Sequence, residues 1–164
     1  MNIKLILVGK TDVSFVQEGV AEYAKRLSHY VKFEMAVINP PKMSAKSSPE
    51  DVKRKEGELI MRFLEKEKTS GGGGVRVVLC DEQGLQLRSV ELAQRIQGLM
   101  NQSLKTLILI VGGAYGFSQD VYAEADSKLA FSRMTFSHQM IRVLIVEQLY
   151  RAFSILNNEP YHNE

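Results

Sequence analysis

The stretch Leu107-Ile108-Leu109-Ile110-Val111-Gly112-Gly113-Ala114-Tyr115-Gly116 decides how this chain folds. An apolar run this short, rich in β-branched residues and stopped by two glycines, reads as a strand buried on both faces, the mark of a central strand in a parallel sheet. Its surroundings agree. Ser89 can cap a helix whose Leu92, Ala93, Ile96, Leu99 and Met100 recur on one side, and Ser118 opens a short helix to about Asp126. Towards the N-terminus lie strand candidates at Lys4 to Val8, Phe33 to Ile38 and Val75 to Cys80. Between them, Val16, Val20, Ala24 and Leu27 follow the candidate caps Asp12 and Ser14, and Ser48-Pro49-Glu50-Asp51 starts a helix to about Lys68. Lys128 to Phe131 forms the last strand and Met140 to Leu156 the last helix. Alternating strands and helices predict an α/β fold, one domain over residues 1–164, with a mostly parallel sheet and helices on both faces.

Composition narrows the function classes. Of 164 residues, 45% are hydrophobic and 24% charged, as in an ordinary globular domain. A net charge of +2 argues against a self-sufficient nucleic-acid binder. Cys80 is the single cysteine, which excludes an intramolecular disulfide and favours a reducing compartment. No apolar run approaches a membrane span or a secretory leader, so the expected location is the cytoplasm, with no membrane partner.

The last helix is apolar around nearly its whole circumference. Either it packs between elements of its own chain, or its second face meets another subunit in a two-fold dimer.

Parallel α/β sheets bind ligands at the carboxyl ends of their strands, which selects Gly9-Lys10-Thr11, Asp81 to Leu87, Gly112 to Phe117 and Ser132 to Gln139. A P-loop is excluded because Lys4 stands where its first glycine belongs. The Gly112-Gly113 pair breaks the dinucleotide pattern, yet offers backbone without Cβ atoms beside a central strand; a plain turn explains the glycines equally well. His29, His138 and His162 lack metal spacing, so no metal is expected, and no nucleophile elbow surrounds Ser118 or Ser137. His138 is a candidate base or a capping residue. In the tail, Tyr161 and His162 are side chains able to stack on a base or move its proton.

Across its length the chain resembles the RlmH-type family of SPOUT-class RNA methyltransferases. The resemblance rests on Val8-Gly9-Lys10, Lys55-Glu56-Gly57-Glu58, Leu79-Cys80-Asp81-Glu82-Gln83-Gly84 and Ile110 to Gly116. It rests further on Phe131 to Val143, Glu147 to Phe153 and Pro160-Tyr161-His162. It implies a deep C-terminal trefoil knot holding S-adenosyl-L-methionine, and methyl transfer to N3 of a pseudouridine in large-subunit (23S) ribosomal RNA within the assembled ribosome. It also implies a homodimer whose active site takes parts from both subunits. Carried over by motif, Leu79, Gly112, Gly113, Phe131, Ser132, Arg133, Met134, Thr135 and Phe136 line the cofactor. Arg142, Tyr161, His162 and His138 become the catalytic candidates, with Arg142 stabilising charge on the base oxygens, Tyr161 and His162 placing the base, and His162 a candidate proton acceptor. Asn163 departs from the basic residue usual in that tail, and the Gly71 to Gly74 run is longer than the usual connection. Two copies of Lys42, Lys46, Lys53, Arg54 and Lys55 are expected to supply local basic surface for RNA. A nonenzymatic α/β domain that binds nucleotide or RNA is the alternative class.

Overall fold

The computed structural model describes residues 1–40, 42, 44, 47–70 and 74–162. In chain order the elements are β1 (Asn2–Val8), α1 (Ser14–Leu27), β2 (Lys32–Ile38), α2 (Pro49–Ser70) and β3 (Val75–Gln86). They continue with α3 (Ser89–Asn101), β4 (Thr106–Val111), α4 (Gln119–Glu124), β5 (Ser127–Ala130) and α5 (Met140–Leu156). The strands form one sheet in the order β2-β1-β4-β3-β5, every neighbouring pair parallel. All six residues of β4 are buried, as its apolar run predicts for a strand with neighbours on both sides.

Alternating side chains divide the core into two layers. Leu5, Leu7, Val78, Leu107, Leu109 and Leu129 pack with α1, α3 and α5. Ile6, Val8, Val77, Leu79, Ile108 and Ile110 face the other way, onto Ile60 and Leu64 of α2 and Val121 of α4. The helix α5 lies against α1 and α3, with Ile145, Val146, Leu149, Ala152 and Phe153 buried. Its own chain thus covers one face, while Met140 is exposed and Ile141, Val143, Leu144, Ile155 and Leu156 are half-buried, so both readings of its composition stand.

Three local expectations meet a different outcome. Ser48 does cap α2: its Oγ accepts from the Asp51 N–H at 3.1 Å while its own N–H donates to Asp51 Oδ2 at 3.3 Å. In α1, however, the N-cap is Val13, and the Asp12 N–H instead donates to Gln139 Oε1 at 3.2 Å. In α3 the N-cap is Arg88, whose N–H donates to Glu91 Oε2 at 2.7 Å, leaving the Ser89 hydroxyl to donate to Gln148 of α5 at 2.8 Å. Most consequential, β3 does not end at Cys80 but resumes after an irregularity and pairs Leu85 with Leu129 and Gln86 with Ala130. Gly84 permits this return, since a Cβ there would fall 2.5 Å from the Leu129 backbone nitrogen. The polar bulge Asp81-Glu82-Gln83 interrupts the apolar pattern and so hides the strand's second half from a periodicity reading.

Candidate active site at the strand ends

The carboxyl ends of β3 and β4 and the segment after β5 enclose a cleft of about 570 Å³. Three walls form it: the bulge at 80–83, the turn at 111–117, and the 131–141 segment leading into α5. The turn is pinned by a Gly116 N–H to Gly113 carbonyl bond at 3.2 Å, and Gly116 takes the left-handed φ of 78°. The Met134 N–H donates to Ser132 Oγ at 2.8 Å within the third wall, and Thr135 donates to Glu82 Oε2 at 3.2 Å, joining the third wall to the first.

Of the residues expected around a cofactor, Gly112, Gly113, Phe131, Ser132, Met134, Thr135 and Phe136 line this cleft, as does His138. Leu79 is fully buried in the α2-side core beneath it, and Arg133 is exposed outside the lining. Both glycines also meet packing that their sequence does not show. A Cβ on Gly113 would stand 2.5 Å from Glu56 Oε2, and one on Gly112 would stand 3.1 Å from the Phe117 ring. A side chain at Gly113 would have to displace the Glu56 carboxylate, and one at Gly112 would crowd the Phe117 ring.

Arg142, expected at the base oxygens, is entirely buried. Its Nε donates to the His138 carbonyl (2.9 Å), Nη1 to Thr11 Oγ1 (2.7 Å) and Nη2 to the Val8 carbonyl (3.0 Å), tying the end of β1 to the third wall. Burial lowers its pKa from the usual guanidinium value.

Tyr161 and His162 lie apart from the cleft of their own chain. The Tyr161 hydroxyl donates to Glu147 Oε1 at 3.1 Å and accepts from the Tyr23 hydroxyl at 3.2 Å, and Arg151 covers its ring at 4.6 Å. Burial, followed by the Tyr23 bond and the Glu147 charge, raises the Tyr161 pKa. His162 Nδ1 lies 3.4 Å from Arg151 Nη1, while its Nε2 is buried with no partner among the described residues. Asn163 falls outside the described residues.

The partners of several lining groups, and Tyr122 itself, were not legible in the sequence. Asp81 Oδ2 accepts from the Tyr122 hydroxyl at 2.5 Å and Oδ1 from the Gln83 N–H at 2.8 Å. Burial and then the Asp81 bond push the Tyr122 phenol up to about 12; burial and then the Asp81 charge push the Cys80 thiol up to about 12. Both therefore stay protonated at neutral pH, which removes Cys80 as a nucleophile. Tyr122 gave no signal in sequence because its partner is 41 residues away.

The electrostatics of the lining are one-sided. Asp81 and Glu82 are its carboxylates, and no lysine or arginine joins them among the described residues. Such walls suit a ligand with positive charge and disfavour a phosphate-bearing one. An adenosyl sulfonium fits on both counts: volume in the range of small-molecule sites, main-chain edges and Phe131 for a flat base, and carboxylates for its charge.

Comparison with known proteins follows the same line. A family model described as predicted SPOUT methyltransferase matches residues 1–162. A protein named ribosomal RNA large subunit methyltransferase H from Christiangramia forsetii is 47% identical over 163 residues, covering 99% of both chains. One of the same name from Parabacteroides distasonis is 46% identical over the full length of both. Among solved structures, a probable methyltransferase from Bordetella pertussis superposes with a TM-score of 0.52 at 14% identity, over 93% of this chain and 96% of the other. A SpoU methyltransferase from Streptomyces viridochromogenes, in complex with the cofactor AdoMet, gives 0.50 at 12% identity over 92% of this chain and 57% of its own. At those identities the superpositions speak for the shared fold, while the full-length sequence matches decide kinship: the chain belongs to the SPOUT methyltransferase family.

Proposed function

We propose that this protein is an S-adenosyl-L-methionine-dependent methyltransferase acting on N3 of a pseudouridine in 23S ribosomal RNA, with the assembled ribosome as substrate. The observation that carries the reading is the cleft: among the described residues its lining has carboxylates and no lysine or arginine, at the strand ends of a chain whose full-length relatives bear the name of a ribosomal RNA methyltransferase. Gly112, Gly113 and the segment from Phe131 to Phe136 would hold the cofactor, largely through main-chain groups. When bound, the cofactor supplies an electrophilic methyl group, so the protein's share is orientation and proton removal.

His138, which lines the cleft, would take or guide the N3 proton as the ring nitrogen becomes a nucleophile. Arg142 acts at one remove, holding the His138 carbonyl and with it the third wall. Tyr161 and His162 would serve the cleft of a second protomer in a two-fold dimer. Two features support that arrangement. Both residues stand away from their own cleft, and Val13, Phe15, Phe136 and Met140 expose apolar surface where Gln139 joins the 10–12 segment to the start of α5. The contact between the 81–87 and 131–139 segments through Glu82 and Thr135 supports the trefoil path that the resemblance implies for this end of the chain.

Mass spectrometry of ribosomal RNA nucleosides from a strain lacking the protein tests the assignment. A missing N3-methylpseudouridine that returns with the wild-type gene is expected; retention of the mark would refute the substrate. Single-turnover methylation by Tyr161→Phe and His162→Ala variants tests the tail, with a fall of at least tenfold expected for His162→Ala.

A further inference from the structure

The helix α2 carries an acid where its own pattern calls for an apolar residue. Glu56, Ile60 and Leu64 follow one another at intervals of four, on one stripe of the helix, and all three are buried, Glu56 to 6% exposure. Burying a carboxylate without a partner is costly, so such a residue in a core stripe calls for a compensating role. No ion pair among the described residues includes Glu56, and its Oε2 has no hydrogen-bond partner. The carboxylate is not in a remote part of the core. It fills the space of the absent side chain of Gly113, with both oxygens within 2.8 Å of where that Cβ would stand. Gly113 is itself a wall of the cleft, so one glycine separates the buried charge from the ligand space.

The other carboxylates at the cleft are differently placed. Asp81 is engaged by Tyr122 and Gln83, and Glu82 is exposed and engaged by Thr135. Hydrogen bonds and water moderate their fields. A charge buried in low dielectric acts over several ångströms with far less screening.

We infer that Glu56 is the residue by which this protein recognises the positive charge of a sulfonium cofactor, acting through the Gly113 wall and distinguishing the charged methyl donor from its neutral thioether product. The inference rests on the methyltransferase reading above. It assigns α2 a purpose beyond covering the sheet: the carboxylate gains its counter-charge only when the donor is bound, and loses it once the methyl group has left. Charge loss at that point weakens retention of the product, which favours its exchange for fresh donor.

Calorimetry on the full-length protein provides the test, with S-adenosylmethionine and S-adenosylhomocysteine as the ligand pair and sinefungin, whose amine supplies a charge near the sulfonium position, as a third. In Glu56→Gln, the ratio of donor to product affinity should fall about tenfold relative to wild type, with sinefungin following the donor. Glu56→Ala gives a second charge-free variant should the amide disturb folding, and Glu56→Asp, which keeps the charge, should hold the ratio within about threefold. Equal weakening of all three ligands in Glu56→Gln, or none, overturns the inference and leaves the cofactor assignment standing. Failure of the wild-type protein to bind any of the three overturns the cofactor assignment and the inference with it.

Discussion

At Gly113 a single hydrogen separates the cleft wall from a buried carboxylate. A methyl group there would stand 2.5 Å from Glu56 Oε2, so the Glu56 carboxylate must give way. Gly113→Ala should weaken S-adenosylmethionine binding at least tenfold and Gly113→Val abolish it, by calorimetry on protein whose circular dichroism is unchanged. Unaltered binding by Gly113→Ala would refute the dependence of the ligand on the Glu56–Gly113 contact. Glu56 has a consequence for stability as well. Burial raises its pKa above the ordinary 4.5, so the fold favours the protonated form. Its contribution is fully present below the ordinary value and is lost as pH rises through the raised one. Ligand-free Glu56→Gln should therefore melt no lower than wild type at pH 8, with wild type gaining relative to it as the pH falls towards 4.5; scanning calorimetry across that range reads the sign. Neither residue's role was legible beforehand. Glu56 follows Lys53-Arg54-Lys55 in a charged stretch where an acid reads as solvated, and only its register with Ile60 and Leu64 separates it from Glu58.

Among the elements, α5 was the most legible and β3 the least. Met140 to Leu156 emerges with the bounds its apolar content predicts, because a continuous apolar helix needs no knowledge of its neighbours. The second half of β3 depends on Gly84 meeting the backbone of β5, a contact 45 residues away that no local pattern encodes. Arg142 falls between the two cases: its place on α5 was evident, its partners were not. Because it satisfies Val8, Thr11 and His138 at once, Arg142→Met should cost about 3 kcal/mol by urea denaturation, the sum of several buried groups left unpaired. It should also loosen the third wall, read as faster amide exchange at residues 132–139. On α2, Ser48→Ala removes the N-terminal cap and should cost about 1 kcal/mol.

For the whole molecule, the alternation of elements gave the sheet and its two helical layers, but not the strand order, which depends on contacts distant in sequence. Nor does composition foretell the local electrostatics. Lys53 pairs with Glu50 at 2.6 Å and Arg54 with Glu58 at 2.8 Å, so much of the basic stretch proposed for RNA is offset within α2 itself; Lys46 lies outside the described residues. Isolated RNA fragments should accordingly bind weakly, with affinity falling steeply between 50 and 200 mM salt in a filter-binding assay. The order β2-β1-β4-β3-β5 carries a further consequence, for assembly in time. The first strand has β2 on one side, but its other neighbour is β4, about a hundred residues later, and no adjacent pair of strands can close as a hairpin. A growing chain thus emerges with its opening strand half-paired until residue 111 is free, and the cleft, drawn from residues 80–141, exists in no early fragment. Refolding from urea should accordingly take milliseconds to seconds, with ligand binding recovered only as the complete sheet closes.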